Sequence, residues 1–145
     1  MGDMRRAQSN LDKLIKKWLG KEVLRGEDGV YIFPMESTVA FASLIDWEDG
    51  DIVLSIFAPV LHQLRPTEAL YRYVATESFM FGNLRVEVED PSDVTLTFSC
   101  RLLANDLDIS ELKIAVLQVA GTADRLDNEL QPRFGGKRTD QVFGG

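Results

Sequence analysis

Cysteine and histidine are nearly missing from this sequence, and their scarcity removes most catalytic chemistry at the outset. Among 145 residues there is one cysteine, Cys100, and one histidine, His62. A lone cysteine forms no internal disulfide, so the chain gains nothing from an oxidising compartment. A lone histidine makes no two-histidine metal site, and any histidine-based triad must use this residue. No apolar run approaches the roughly 20 residues that span a bilayer. Residues 1–10 are polar and lack the apolar core of a signal peptide. The expectation is a cytoplasmic protein. Glycine-rich phosphate loops and zinc-type spacings are absent as well. Positive charge is scarce outside the N-terminal stretch. Residues 1–30 hold seven Lys or Arg against five Asp or Glu, which leaves −9 on the remainder of a chain whose formal net charge is −7. Such a field repels phosphates, so neither nucleic acid nor an anionic membrane surface is an expected partner.

What is present is an ordinary globular composition, 45% hydrophobic and 27% charged, of a length that suits one domain. We read residues 8–134 as that domain, with flexible termini at 1–7 and 135–145. Leu11, Leu14, Ile15, Trp18 and Leu19 form one apolar stripe at helical spacing, with Ser9 or Asn10 to cap its start and Gly20 to end it. Strand-like stretches follow. Residues 22–25 make a short edge piece, closed by the turn signal Gly26-Glu27-Asp28-Gly29. Residues 30–35 are apolar on both alternating faces, and Pro34 suggests an edge or a bulge. Residues 38–48 set Val39, Phe41, Ile45 and Trp47 on one face and Ala40, Ala42 and Leu44 on the other. Asp49-Gly50 then turns the chain into residues 52–60. Antiparallel sheets usually wet one face, so strands that are apolar on both sides need a second cover. A second helix, another subunit or a ligand would serve.

Residues 66–78 read as the second helix, with Ala69, Leu70, Tyr73 and Val74 on one face. A clean hairpin comes next. Leu84, Val86 and Val88 alternate with charged residues, and after the Asp90-Pro91-Ser92-Asp93 turn, Val94, Leu96, Phe98, Cys100 and Leu102 alternate with polar ones. Asp108 and Glu111 form a capping box for the last helix. Its first half, residues 112–120, is apolar nearly all round and is expected to be buried on more than one side. Pro132 and Gly135-Gly136 stop it. The fold class is α+β, in the order α-β-β-β-α-β-β-α.

The remaining chemical candidates resolve blandly. His62, beside Gln63 and Arg65 at a strand end, reads as a solvated or capping residue. Cys100 sits in phase with the dry face of its strand, where burial raises a thiol's pKa and quenches it. Asp46, Glu48, Asp49 and Asp51 invite a calcium reading. An EF-hand loop wants oxygen ligands five, three and one residues before its glycine and a glutamate six after. Counted from Gly50, those places hold Ile45, Trp47, Asp49 and Ile56, and the match fails. Glu87 and Glu89 share a strand face without an acid–base partner nearby. The terminal Gly144-Gly145 echoes ubiquitin-like modifiers, but Gly135-Gly136 already repeats the pair.

The last helix carries a likeness. Its run Glu111-Leu112-Lys113-Ile114-Ala115-Val116-Leu117-Gln118-Val119-Ala120-Gly121-Thr122-Ala123-Asp124, then Leu126 and Asn128-Glu129-Leu130, closing on Arg133-Phe134-Gly135-Gly136, resembles cytoplasmic YbjN-domain proteins of the type III secretion chaperone-like fold. The resemblance, over residues 8–136, implies a curved antiparallel sheet backed by helices and usually a homodimer, whose apolar surfaces hold a segment of another protein. It implies no cofactor and no catalytic residue, so the chain is expected to be a binder and not an enzyme. Some relatives are labelled sensory transduction regulators. We take Tyr31, Phe33 and Trp47 as aromatic anchors for a peptide, with Trp18 from the helix side, and Tyr71 and Ala75 on the second helix as the dimer contact. A regulatory or scaffolding homodimer without a peptide groove is the alternative. An exposed apolar patch of several hundred Å² separates the two.

Overall fold

In the computed structural model, which describes residues 4–35 and 38–143, five antiparallel strands form one sheet with four helices. Helix α1 spans Met4–Leu19. It is followed by β1 (Tyr31–Pro34), β2 (Val39–Asp46), β3 (Ile52–Leu64), α2 (Glu68–Thr76), β4 (Asn83–Asp90), β5 (Asp93–Leu103), α3 (Ile109–Phe134) and the short α4 (Thr139–Phe143). The strand order across the sheet is β1-β2-β3-β5-β4. Gly144 and Gly145, the diglycine of the sequence reading, lie outside the described residues.

Helix α1 starts a turn and a half before the expected cap, because Met4 and Ala7 extend the apolar stripe and pack on the core. The edge piece at 22–25 shrinks to one bridge, Arg25 opposite Tyr31, with the Ile32 amide donating to the Leu24 carbonyl at 3.0 Å. The turn between β2 and β3 is a single 3-10 turn over Glu48–Gly50, closed by the Trp47 amide donating to Asp51 at 2.9 Å. Helix α2 is capped by Thr67, whose hydroxyl accepts from the Leu70 amide at 3.2 Å. The capping box of α3 forms as expected. Asp108 accepts from the Glu111 amide at 2.8 Å, and Glu111 accepts in return from the Asp108 amide at 3.1 Å. This box satisfies donors that would otherwise be orphaned at the helix start.

Register assigns every strand residue to a face. Tyr31 pairs with Ala42, Phe33 with Ala40, Ala42 with Ile56, Ile56 with Cys100, and Ala58 with Phe98. These residues are all buried, and their face meets the helices: Trp18 of α1 packs on Phe33 with ring centroids 6.1 Å apart, and Phe79, just after α2, meets Phe98 edge-on at 5.1 Å. Tyr73 of α2 packs edge-on against Phe134 at the end of α3, 5.8 Å between centroids, so the helices share one layer. One consequence differs from expectation. With a single helical layer, the far side of α3 has nothing above it, and Ile114 and Leu117 stay exposed.

Residues 135–143, expected as a frayed tail, return to the sheet. Lys137 and His62 exchange backbone hydrogen bonds at 2.7 and 2.8 Å, and the His62 ring meets the buried Thr139 hydroxyl at 3.0 Å. Gly136 makes the approach possible. Its φ of +78° suits glycine, and a Cβ there would stand 2.7 Å from the His62 carbonyl oxygen. The strap docks where β3 is irregular, with register shifts around Leu61 and Gln63 at φ 56°.

Candidate functional site

The second face of the sheet is where the sequence's apolar surplus goes. Its cross-strand rows are Ile32–Phe41–Phe57–Ser99 and Ile45–Val53–Leu103, with Val39 opposite Pro34 and Pro59 opposite Thr97. Phe41 and Phe57 stack at 5.6 Å between centroids. None of Ile32, Val39, Phe41, Ile45, Val53, Phe57 or Leu103 belongs to the core or packs against it, and Leu103 is 61% exposed. No described helix covers this face. Four strands, β1, β2, β3 and β5, therefore contribute to a band of large apolar side chains, half-buried along most of its length and exposed at Ile45 and Leu103.

Beside the band the chemistry changes. Ser55, Thr95, Thr97 and Ser99 lie low and buried on the same face, between the longer Phe57, Arg85 and Arg101. Arg85 donates from Nε and Nη2 to Glu87 at 3.1 and 2.8 Å, with its guanidinium carbon 6.0 Å from the Phe57 centroid. Among the described residues nothing pairs with Arg101. The site is thus an apolar strip with a hydroxyl floor and a cationic border.

The residues singled out in the sequence are distributed differently. Tyr31 and Phe33 are 1% and 2% exposed, turned toward α1. The Tyr31 hydroxyl donates to Asp12 at 2.9 Å, and burial, with that carboxylate second, pushes its pKa up to about 12. Both rings are core, and the aromatics on the opposite face are the half-buried Phe41 and Phe57. Trp18 is half-buried over Phe33. Trp47 stands 57% exposed at the β2–β3 tip, in line with Phe41 and Ile45. Tyr71 and Ala75 are exposed on the outer side of α2. Sequence reasoning missed Phe57 and Arg101 as surface groups. The signal for Phe57 was available in its parity with Val53, whereas Arg101 reads only as the polar half of an alternating strand.

The reactive candidates are occupied or quenched. Burial raises the Cys100 thiol to about 11, and burial lowers His62. Among the described residues no three His, Cys, Asp or Glu side chains converge to hold a metal ion. A cleft of about 790 Å³ between α1 and the loop before α3 is bordered by Asn10 and Asn105. Both amides already serve the fold, Asn10 donating to Leu107 and Asn105 bridging Gly50 and Ile52.

The structure resembles the Yersinia pestis type III secretion chaperone SycH, solved in complex with a stable fragment of YscM2: 20% identity over 82% of this chain and 98% of that one, TM-score 0.57. It also resembles YbjN from E. coli, at 16% identity over 86% of this chain and 91% of that one, TM-score 0.59. At these identities the likeness is one of fold. No curated protein matches the chain. The family described as T3SS (YopN, CesT) and YbjN peptide-binding chaperone 1 matches residues 5–142, nearly the whole length. The chain belongs to this family of peptide-binding chaperones.

Proposed function

We propose that this protein is a non-enzymatic chaperone that holds an extended segment of another protein on the uncovered face of its sheet. The observation that carries the reading is the apolar band. Ile45 and Leu103 are exposed and Ile32, Phe41, Val53 and Phe57 are only half-buried, although the described residues form four helices with which to hide them. A contiguous exposed apolar surface on a folded domain marks an interaction site. Extended segments suit a sheet, because alternate side chains meet it at the sheet's own spacing. Phe41 and Phe57 are the central anchors in this reading, with Ile32 at one end and Trp47 above the far hairpin. The fragment-bound relative supports it by analogy of fold.

The protein works as a homodimer in this reading, through the outer side of α2. Tyr71 and Ala75 lie exposed there, and Val88 of the neighbouring edge strand β4 is exposed too. That placement leaves the apolar band free in both copies, whereas a scaffolding dimer without a groove would have to cover it.

The test begins with a random library of extended peptides selected on the purified protein, followed by calorimetric titration of the enriched sequences. Phe41→Asp should abolish binding while leaving the circular dichroism spectrum unchanged. Peptides that bind the folded variant as tightly as wild type would sink the reading. Tyr71→Asp should halve the mass measured by light scattering, and a dimer that survives it would remove α2 from the contact.

A further inference from the structure

We propose that the notch where β4 stops short of β5 receives a short extended segment in which carboxylates alternate with large apolar side chains, and that Arg101 selects it. The inference rests on the peptide-holding reading and adds the chemistry of the segment held.

The notch is a consequence of unequal strands. Strand β4 begins at Asn83, opposite Ser99, while β5 runs on to Leu103. Residues 100–103 thus pair with β3 on one side and with no strand on the other. In an antiparallel ladder, alternate residues aim their N–H and C=O at each neighbour, so part of this stretch directs its backbone groups into open space. The space is about 410 Å³, bordered by Met80, Phe81, Asn83, Arg85, Arg101 and Leu102. Gly82 keeps it clear. There the chain turns off the sheet with φ +96°, and a Cβ would meet the Ser99 carbonyl oxygen at 2.5 Å, so only glycine lets the backbone leave so close to β5.

A segment laid in line with β4 takes those backbone groups and splits its side chains between two environments. On the helix side lie Phe81, Leu102 and the fully exposed Met80, which accept large apolar groups. On the other side lie Ser99, Arg101 and Arg85. Arg85 is shared with Glu87, while Arg101 has no partner among the described residues. On a chain whose net charge is −7, an unengaged guanidinium at a free strand edge marks where a carboxylate is favoured. Alternation follows from strand geometry, and the acidic half of it from the two arginines.

The probes are three fluorescein-labelled synthetic peptides, Ser-Val-Glu-Val-Glu-Val-Ser and its Gln and Lys counterparts, measured by anisotropy. The Glu peptide should bind the wild-type protein about fivefold more tightly than the Gln peptide, the scale of one exposed ion pair. The Lys peptide should bind weakest. Arg101→Gln should erase the difference between Glu and Gln, and amide exchange at Arg101 and Leu103, whose N–H groups face the notch, should slow when the Glu peptide is bound. Equal binding of all three peptides, a preference that survives Arg101→Gln, or amides at Arg101 and Leu103 that stay unprotected would each overturn the proposal. Phe41→Asp separates the two readings. If it abolishes binding of peptides that show no charge preference, the sheet face stands and the notch falls. If Arg101→Gln erases a preference that Phe41→Asp leaves intact, the notch stands alone. Loss of self-association in Arg101→Gln at the same concentrations would name a second copy as the occupant, and would overturn the proposal of a foreign segment.

Discussion

Asp127 is an acid buried where it is not needed for binding, and removing its charge should stabilise the protein in a way that depends on pH. The side chain lies on the inward side of α3, 4% exposed, and its Oδ1 has no hydrogen-bond partner among the described residues. Burial is the main cause that lifts its carboxyl from 3.8 to about 6, with the charge of Asp124 second and Arg138 opposing both. An acid whose folded pKa is raised disfavours the folded state once ionised. The penalty is absent below the unfolded value, grows as pH rises through about 4 to 6, and is complete above. A shift from 3.8 to about 6 corresponds to roughly 3 kcal/mol at 1.36 kcal/mol per pH unit. Relaxation around the carboxyl and partial screening reduce the measurable part to about 1–2 kcal/mol. Asp127→Asn should therefore raise unfolding free energy by that amount at pH 8 and by almost nothing at pH 4. Urea denaturation of both proteins at the two pH values reads the difference. A change of equal size at both, or a loss at pH 8, would refute the assignment of the penalty to ionisation.

Three further outcomes follow from the same geometry. Phe33→Ala should cost about 3–5 kcal/mol in thermal or chemical unfolding, because it empties a core site, whereas Phe41→Ala on the opposite face should cost about 1 kcal/mol or less. Gly136→Ala places a Cβ 2.7 Å from the His62 carbonyl at a left-handed φ, and should lift residues 137–143 from β3, seen as faster amide exchange at His62 and Lys137 with α3 unaffected. Cys100, buried with its thiol raised to about 11, should react with a disulfide reagent at pH 8 only at the rate of unfolding, and prompt labelling of the native protein would contradict its place in the core.

Local signals accounted for the parts of the fold in which each residue has one role. The β4–β5 hairpin alternates apolar and polar residues cleanly, and the Asp108–Glu111 box is a short-range device, so both were legible. Strand β1 was not, because Tyr31, Ile32 and Phe33 are all apolar and parity alone leaves open which set turns inward. The choice is made by distant residues. Ala42 and Ala40 stand across from Tyr31 and Phe33 and leave room for the rings, and Asp12 on α1 accepts the Tyr31 hydroxyl. Aromatic size suggested anchors, and the same size makes these residues valuable to the core. The strap at Lys137 was hidden for a similar reason. Its partner His62 is 75 residues away, and the contact is backbone to backbone, so neither side chain advertises it. The notch depends on β4 starting at Asn83 and not two residues sooner, a boundary set by the turn at Gly82.

The period of two in β1 and β2 separates neighbours in sequence into different kinds of constraint. Phe33 and Ala40 answer to the core of the domain, while the half-buried Ile32 and Phe41 answer to it only weakly. If the outer face holds the partner segment as proposed, substitutions at every second position would change what is held at small cost to the folded state.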